Sequence, residues 1–567
     1  MGVDVPESAN TRFDGGAERS GPVGPAGLAA ALGSTGVLVA ASLLGMVLAF
    51  AQKSPCRSGA WNSYASQFQR ACYTDIYPLY YGEGLSAGKV PYTGHPVEYP
   101  VLIGGAMQAA AWLVRNVSDT MIRGREFFDV TVLLLAVCAV VGVLATARAA
   151  GPGWRAQALM VALSPALILS AFINWDLIAL ALTALGIAAW AARRGVWAGV
   201  LLGLGVAAKF YPLVVFGPLL LLCLRTGRLR DFAKTLAAAV LSWLAVNLPV
   251  MIVAPSGWAR FYTYSKDRGA DWGSIWYMFE HFNVPVLGNP QLSALNKLTA
   301  VFFAAACAVI ALLALAAPRR PRLPQLCFLV LAAFLMTNKV WSPQYVVWLV
   351  PLAVLARPRL WPYLLWQLAE VAYFFGIWGY LIFVYAAEGF QVHGYQGIST
   401  GWYFATLAAR FLTVGLLAAY VVRDIIDPER DVVRALGTDD PAGGVLDHAE
   451  DRFRLRFNPG GRGISIGRVG AGRLAGQVLL QPADVGGQAA VLVGGLADRR
   501  RARGPDHAEQ QGGIDGAGGD VGVPVPARAE LVPRVVAVHQ VDPAGNGLDP
   551  VGRVGEVDAG RVGVAGV

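Results

Sequence analysis

Phe127-Phe-Asp-Val-Thr-Val-Leu-Leu-Leu-Ala-Val-Cys-Ala-Val-Val-Gly-Val-Leu-Ala-Thr-Ala147 is a predominantly apolar run that stops at Arg148. It has the roughly 20 residues that a helix needs to cross a bilayer's hydrocarbon core. Gly27–Phe50 and Thr235–Val253 have the same character. Segments of this kind must be helical, because lipid offers nothing to satisfy exposed backbone groups. The chain as a whole agrees: it is 55% hydrophobic and 15% charged, with a mean hydropathy of +0.49. A soluble domain carries about 25% charged residues. The first apolar block is not a cleavable leader, since a polar segment with both acids and bases (1–26) precedes it and no clear small-residue cleavage site follows.

The net charge of +9 does not imply nucleic acid, because the bases sit in short turns between apolar blocks, where they report topology. The basic turns are 147–155, 193–194, 225–234, 319–322, 357–359 and 423–430. Placing all six on the cytoplasmic side yields an all-α bundle of about twelve spans with both termini inside. Spans are expected at about 27–50, 127–147, 157–173, 177–192, on either side of Lys209–Pro212, and at 235–254 and 297–317. The remainder flank Asn338–Gln344 or lie near 361–386 and 403–421. Val101–Val114 is too short for a full crossing and is expected to be an interfacial or re-entrant helix in a long first external loop, 51–126. The expected organisation is thus a leader (1–26), a membrane domain (27–425) and a cytoplasmic tail (426–567). Residues 441–567 lack Lys, Met, Cys, Thr, Trp and Tyr and hold only Phe453 and Phe457 as aromatics. That composition predicts disorder.

This arrangement puts the polar, aromatic-rich segments on one face. Asp75 lies among Tyr73, Tyr77, Tyr80 and Tyr81, where it suits either a general base for a hydroxyl or a helix cap. Asp176 opens a span in Asn174-Trp-Asp-Leu, a position that the helix dipole alone favours, yet acids at a membrane edge are functional candidates by default. Glu98 precedes Tyr-Pro. Convergence of Asp75, Glu98 and Asp176 on a divalent cation is open to oxygen ligands, but no spacing demands it. Lys209 lies between two apolar runs and must snorkel or meet an anion such as phosphate. Lys339 raises the same question at another tip, and for both lysines interfacial anchoring beside Tyr211 or Trp341 is equally open. His95, His281 and His393 fall in external loops, where solvated histidines are ordinary. Gly199, Gly203 and Gly205 read as close helix packing. Cys56 and Cys72 share one loop, and disulfide and free thiols are equally open; no CxxC pair or nucleotide-binding glycine motif is present.

Asn174-Trp-Asp-Leu-Ile-Ala-Leu-Ala-Leu, Ala198-Gly-Val-Leu-Leu-Gly-Leu-Gly-Val-Ala-Ala-Lys-Phe-Tyr-Pro212 and Asn338-Lys-Val-Trp-Ser-Pro-Gln-Tyr345 resemble blocks of glycosyltransferase family 87. The resemblance runs over about 30–425. These are polyprenol-phosphate-mannose-dependent mannosyltransferases of GT-C fold. The resemblance implies an inverting, metal-independent transfer without a cofactor, on the outer side of the plasma (inner) membrane, from a polyprenyl-phosphate sugar to a lipid or glycan acceptor. It implies that Asp75 is the base, that Lys209 and Lys339 face the leaving phosphate, and that Asp176, Glu98 and Gln344 bind sugar or orient the base. Asn174 and Tyr211, in the same motifs, join the substrate-binding set. Mannose and arabinofuranose remain open as the sugar. A transporter or lipid flippase is the alternative, although such proteins show repeats in two halves and this chain has none that is visible.

Overall fold

The computed structural model describes residues 25–285, 287–288, 290–389, 392–435, 442–446, 450–457, 464–468 and 478–480. Among the described residues, six helices are long and apolar enough to cross a membrane: Thr35–Arg57, Thr120–Ala150, Leu229–Val253, Leu292–Ala316, Leu360–Ala387 and Thr400–Ile426. The other expected spans are shorter apolar helices, among them Asp176–Ala191, Gly195–Ala208, Tyr211–Thr226, Leu323–Thr337 and Pro343–Ala356. Length sorts the helices by position. Every residue of Val346–Ala356 is buried, whereas most of the lipid-length helix Leu292–Ala316 is not. A short helix deep in the bundle can end before the bilayer does, because its polar end meets protein rather than lipid.

The span expected at 157–173 is instead broken. A 3-10 segment Pro152–Ala158 leads to the helices Leu159–Ala162 and Pro165–Ser170. Pro165 has no N–H to continue the first helix. Gln367 repairs the break: its side-chain oxygen accepts from Ser164 Oγ at 2.8 Å and from the Ala166 N–H at 3.1 Å. Glycine packing is as expected at two positions. A Cβ on Gly199 or Gly203 would collide with the backbone oxygen of Thr235 or Ala239, so Gly195–Ala208 and Leu229–Val253 lie backbone to backbone. Val101–Leu113 is a separate helix of 13 residues.

Contacts divide the bundle into two ends. At one, basic turns gather in ion pairs: Arg322 with Asp431 at 2.8 Å, Arg357 with Asp424 at 2.8 Å, and Arg225 with Asp451 at 2.6 Å. Arg155 joins them by donating to the Gly33 carbonyl at 3.1 Å. At the other end the first loop folds over the polar hairpin tips. A Cys56–Cys72 disulfide staples that loop to the end of Thr35–Arg57.

Short stretches at the start of the tail are among the described residues. Leu446 is buried, and Gly444 is pressed against the Trp190 carbonyl, too closely for any Cβ. Phe453–Phe457 forms a strand paired antiparallel with Ile464–Arg468, which pairs in turn with Val478–Leu480. A fully buried arginine anchors this start of the tail: Arg225 donates to Asp451 and to the carbonyls of Ala314 and Ala317. The rest of the expected disordered tail lies outside the described residues, as does the leader before residue 25. Asp451→Asn should therefore lower stability by about 2 kcal/mol, the scale of a charge-assisted hydrogen bond. Thermal unfolding of the detergent-solubilised protein measures it; an unchanged midpoint would leave the segment without a stabilising role.

Candidate functional site

Asp75 is positioned by its neighbour. Thr74 is buried; its hydroxyl donates to the Phe172 carbonyl at 2.8 Å and accepts from the Ile76 N–H at 3.2 Å. The Asp75 N–H donates to the Ile173 carbonyl at 2.7 Å. Asp75 stands at the start of Ile76–Gly82, but its side chain makes no capping bond. The carboxylate instead accepts from the Tyr73 hydroxyl at 2.6 Å and the Tyr99 hydroxyl at 3.3 Å. Burial raises its pKa above the ordinary value, and the Tyr73 and Tyr99 hydrogen bonds and the charge of Lys209 oppose the rise. A carboxyl shifted upward is a stronger base once ionised.

Asp176 is likewise free of capping duty. Asn174 Oδ1 accepts from the Asp176 N–H at 3.0 Å, leaving the acid's oxygens for Lys209 Nζ at 2.8 Å and Trp348 Nε1 at 3.1 Å. Lys209 is held where Gly195–Ala208 ends, in extended backbone. Its ammonium sits 5.1 Å from the Tyr99 ring, 5.7 Å from Tyr345 and 5.8 Å from Trp348. Tyr211 and Tyr345 both stack on Trp348, with ring centroids at 4.8 Å and 3.9 Å. Tyr99 thus touches both groups: its hydroxyl meets Asp75 and its ring meets Lys209. Asp75, Asp176, Asn174, Lys209 and Tyr211 come together at one place.

Two expected residues, Lys339 and Glu98, are placed otherwise. Lys339 Nζ donates to the carbonyls of Lys266 at 2.8 Å and Arg268 at 2.5 Å, and its own carbonyl accepts from the Asp271 N–H at 2.8 Å. Burial, aided by Arg268, lowers its pKa to about 8. Lys339 therefore ties down the 266–271 loop, in which Arg268 pairs with Asp271 at 3.3 Å. Glu98 pairs with Arg260 at 3.2 Å, so the three-carboxylate convergence weighed above does not form. Its neighbour Tyr99 takes the inward position, with its hydroxyl on Asp75. Gln344 lies in the 3-10 turn Pro343–Tyr345. That turn is anchored from behind: Arg410, fully buried and paired with Glu370 at 3.0 Å, donates to the carbonyls of Trp341 and Ser342.

Tyr99, Tyr345, Trp348 and Lys53 also bear on the site, although none is among the residues expected there from the sequence. Tyr345 and Trp348 belong to quoted motifs, so their aromatic character was the available signal. Lys53 also carried one, as a lysine near the end of an apolar helix.

Residues 126–343 match the family model described as Glycosyltransferase family 87. That stretch holds Asp176, Lys209, Arg268 and Lys339 and begins after Asp75 and Tyr99. No curated protein matches the sequence. Among solved structures the chain is similar to the Archaeoglobus fulgidus oligosaccharyltransferase in its apo form, at 10% identity and a TM-score of 0.31. The alignment covers 68% of this chain and 56% of that one, so the chain spans little more than half the length of that protein. So faint a likeness has no bearing on the site.

Proposed function

We propose that this membrane glycosyltransferase, with its family 87 match over residues 126–343, moves mannose from a polyprenyl-phosphate carrier to a lipid or glycan hydroxyl. The site would face the outer side of the plasma membrane. One observation carries the reading: a carboxylate free of capping duty, held by two tyrosine hydroxyls, shares Tyr99 with a buried lysine. A hydroxyl is a weak nucleophile at neutral pH and needs a base within hydrogen-bond reach. Asp75 takes the acceptor's proton as its oxygen bonds to the anomeric carbon. The bond from that carbon to the phosphate oxygen breaks, and the electron pair leaves with the lipid phosphate. Lys209 stabilises that charge, in the way fixed cations act on leaving phosphates. Asp176 holds the ammonium in place, and the aromatic column of Tyr211, Trp348 and Tyr345 offers faces for the sugar. No cofactor or metal enters these steps.

The disulfide between Cys56 and Cys72 supports an outward-facing loop, since such bonds persist in oxidising compartments. The test is supply of labelled polyprenyl-phosphate-mannose to membranes containing the chain. Label should pass to a lipid or glycan acceptor; transfer from a nucleotide sugar and not from the lipid-linked one would overturn the reading.

A further inference from the structure

Lys53 is a fully buried side chain in the last turns of Thr35–Arg57. Its ammonium donates to the Tyr73 carbonyl at 2.8 Å and lies 5.5 Å from the Phe374 ring. Among the described residues no carboxylate stands within ion-pair distance of it. A buried ammonium with so little compensation costs several kcal/mol, which asks for a reason beyond helix packing. The reason lies two residues along the chain. Tyr73, whose carbonyl Lys53 holds, points its hydroxyl at Asp75, and the charges of Lys53 and Asp75 interact through the protein interior.

We propose that Lys53 is a positioning residue for Asp75: it fixes the Tyr73 backbone so that the tyrosine hydroxyl meets the carboxylate, and its positive charge favours the ionised base. The inference rests on the reading of Asp75 as general base. The groups facing Asp75 come from every element packed on it. They are Tyr73 on its own segment, Tyr99 ahead of Val101–Leu113, Asp176, Lys209, Tyr264 from Pro255–Asp267, and Lys53. Lys53 and Lys209 are the two cations in this set and approach from opposite sides in sequence, yet only Lys209 has a carboxylate of its own. Lys53 thus has no carboxylate of its own among the described residues, and Asp75 is the acid to which it couples.

The sign follows directly. A cation lowers the pKa of a nearby carboxylate, so removing it raises that pKa, and the base becomes active only at higher pH. In Lys53→Met the acid limb of kcat/KM should move up by about one pH unit, the low end for an opposite charge in a site. Below the limb that is about a tenfold loss beyond any change at the plateau. Lys53→Arg keeps the charge, so its acid limb should stay at the wild-type position even if the larger head lowers the plateau. Lys53→Gln keeps a donor for the Tyr73 carbonyl without the charge, and serves as the second neutral variant if the methionine protein does not accumulate. Its limb should move with that of Lys53→Met.

Profiles are measured at equal membrane abundance with polyprenyl-phosphate-mannose as donor. A uniform drop at all pH values in both neutral variants, with the limb unmoved, would reduce Lys53 to a packing residue and overturn the proposal. Asp75→Asn, run alongside, separates the two levels. If that variant keeps both wild-type turnover and the acid limb, the base assignment itself has failed.

Discussion

Asp75→Asn is expected to lower turnover by about 10²- to 10⁴-fold, the usual contribution of a general base. That corresponds to about 3–5 kcal/mol of transition-state stabilisation. The amide keeps the shape; its one carbonyl oxygen can accept from Tyr73 or Tyr99, whose hydroxyls lie at 2.6 Å and 3.3 Å from different carboxylate oxygens, its NH2 donates to the other hydroxyl, and it cannot take a proton from the acceptor. Fold and donor binding should therefore survive. The cap reading makes a different forecast, and the geometry already weakens it, because the side chain caps nothing. Glu98→Gln is the matched control: its carboxylate pairs with Arg260 away from Asp75, so activity should stay within a few-fold. Turnover of both variants at equal membrane abundance checks the pair. Near-wild-type activity of Asp75→Asn would remove it as the base.

Lys209→Ala carries the second large effect, and it needs dissection because two losses overlap. The ammonium is 2.8 Å from Asp176, and both side chains are nearly enclosed. Removing one partner of such a pair leaves an uncompensated charge and costs about 3–5 kcal/mol of stability. The same ammonium is assigned to the leaving phosphate, so activity should fall as well. The double variant Lys209→Ala/Asp176→Asn separates the two. It removes both charges and should recover thermal stability and membrane abundance relative to the single variant, while transfer remains at least about 100-fold below wild type, on the scale of losing one fixed charge-stabilising group. Recovery of transfer together with stability would make the pair purely structural and leave the phosphate to another cation.

The sequence was informative where the bilayer imposes strong rules. Apolar run length and arginine position sorted turns to one end of the bundle, and the ion pairs of Arg322, Arg357 and Arg225 lie where that sorting puts them. Asp75, Asp176 and Lys209 stood out because charge near lipid is costly. What stayed hidden depended on local geometry. Nothing in Asn338-Lys-Val-Trp says that Lys339 turns to the carbonyls of Lys266 and Arg268. Glu98 stood out as an acid beside Tyr-Pro, but it is Tyr99 that reaches Asp75, while Glu98 meets Arg260. The break at Ser164 was signalled by Pro165; its repair needed Gln367 from a helix 200 residues away in sequence. The docked start of the tail follows from single contacts such as that of Arg225 with Asp451, which composition averages away.

The central claim is a direct displacement in which Asp75 acts as a base. The anomeric configuration of the product tests it most directly. Wild-type protein is supplied with polyprenyl-phosphate-mannose of defined configuration, and the new glycosidic bond is read by NMR. A single displacement predicts inversion at the anomeric carbon, with one polyprenyl phosphate released per sugar transferred. Retention would contradict it, because it requires two displacements through a sugar bonded covalently to the enzyme, with Asp75 as nucleophile instead of base.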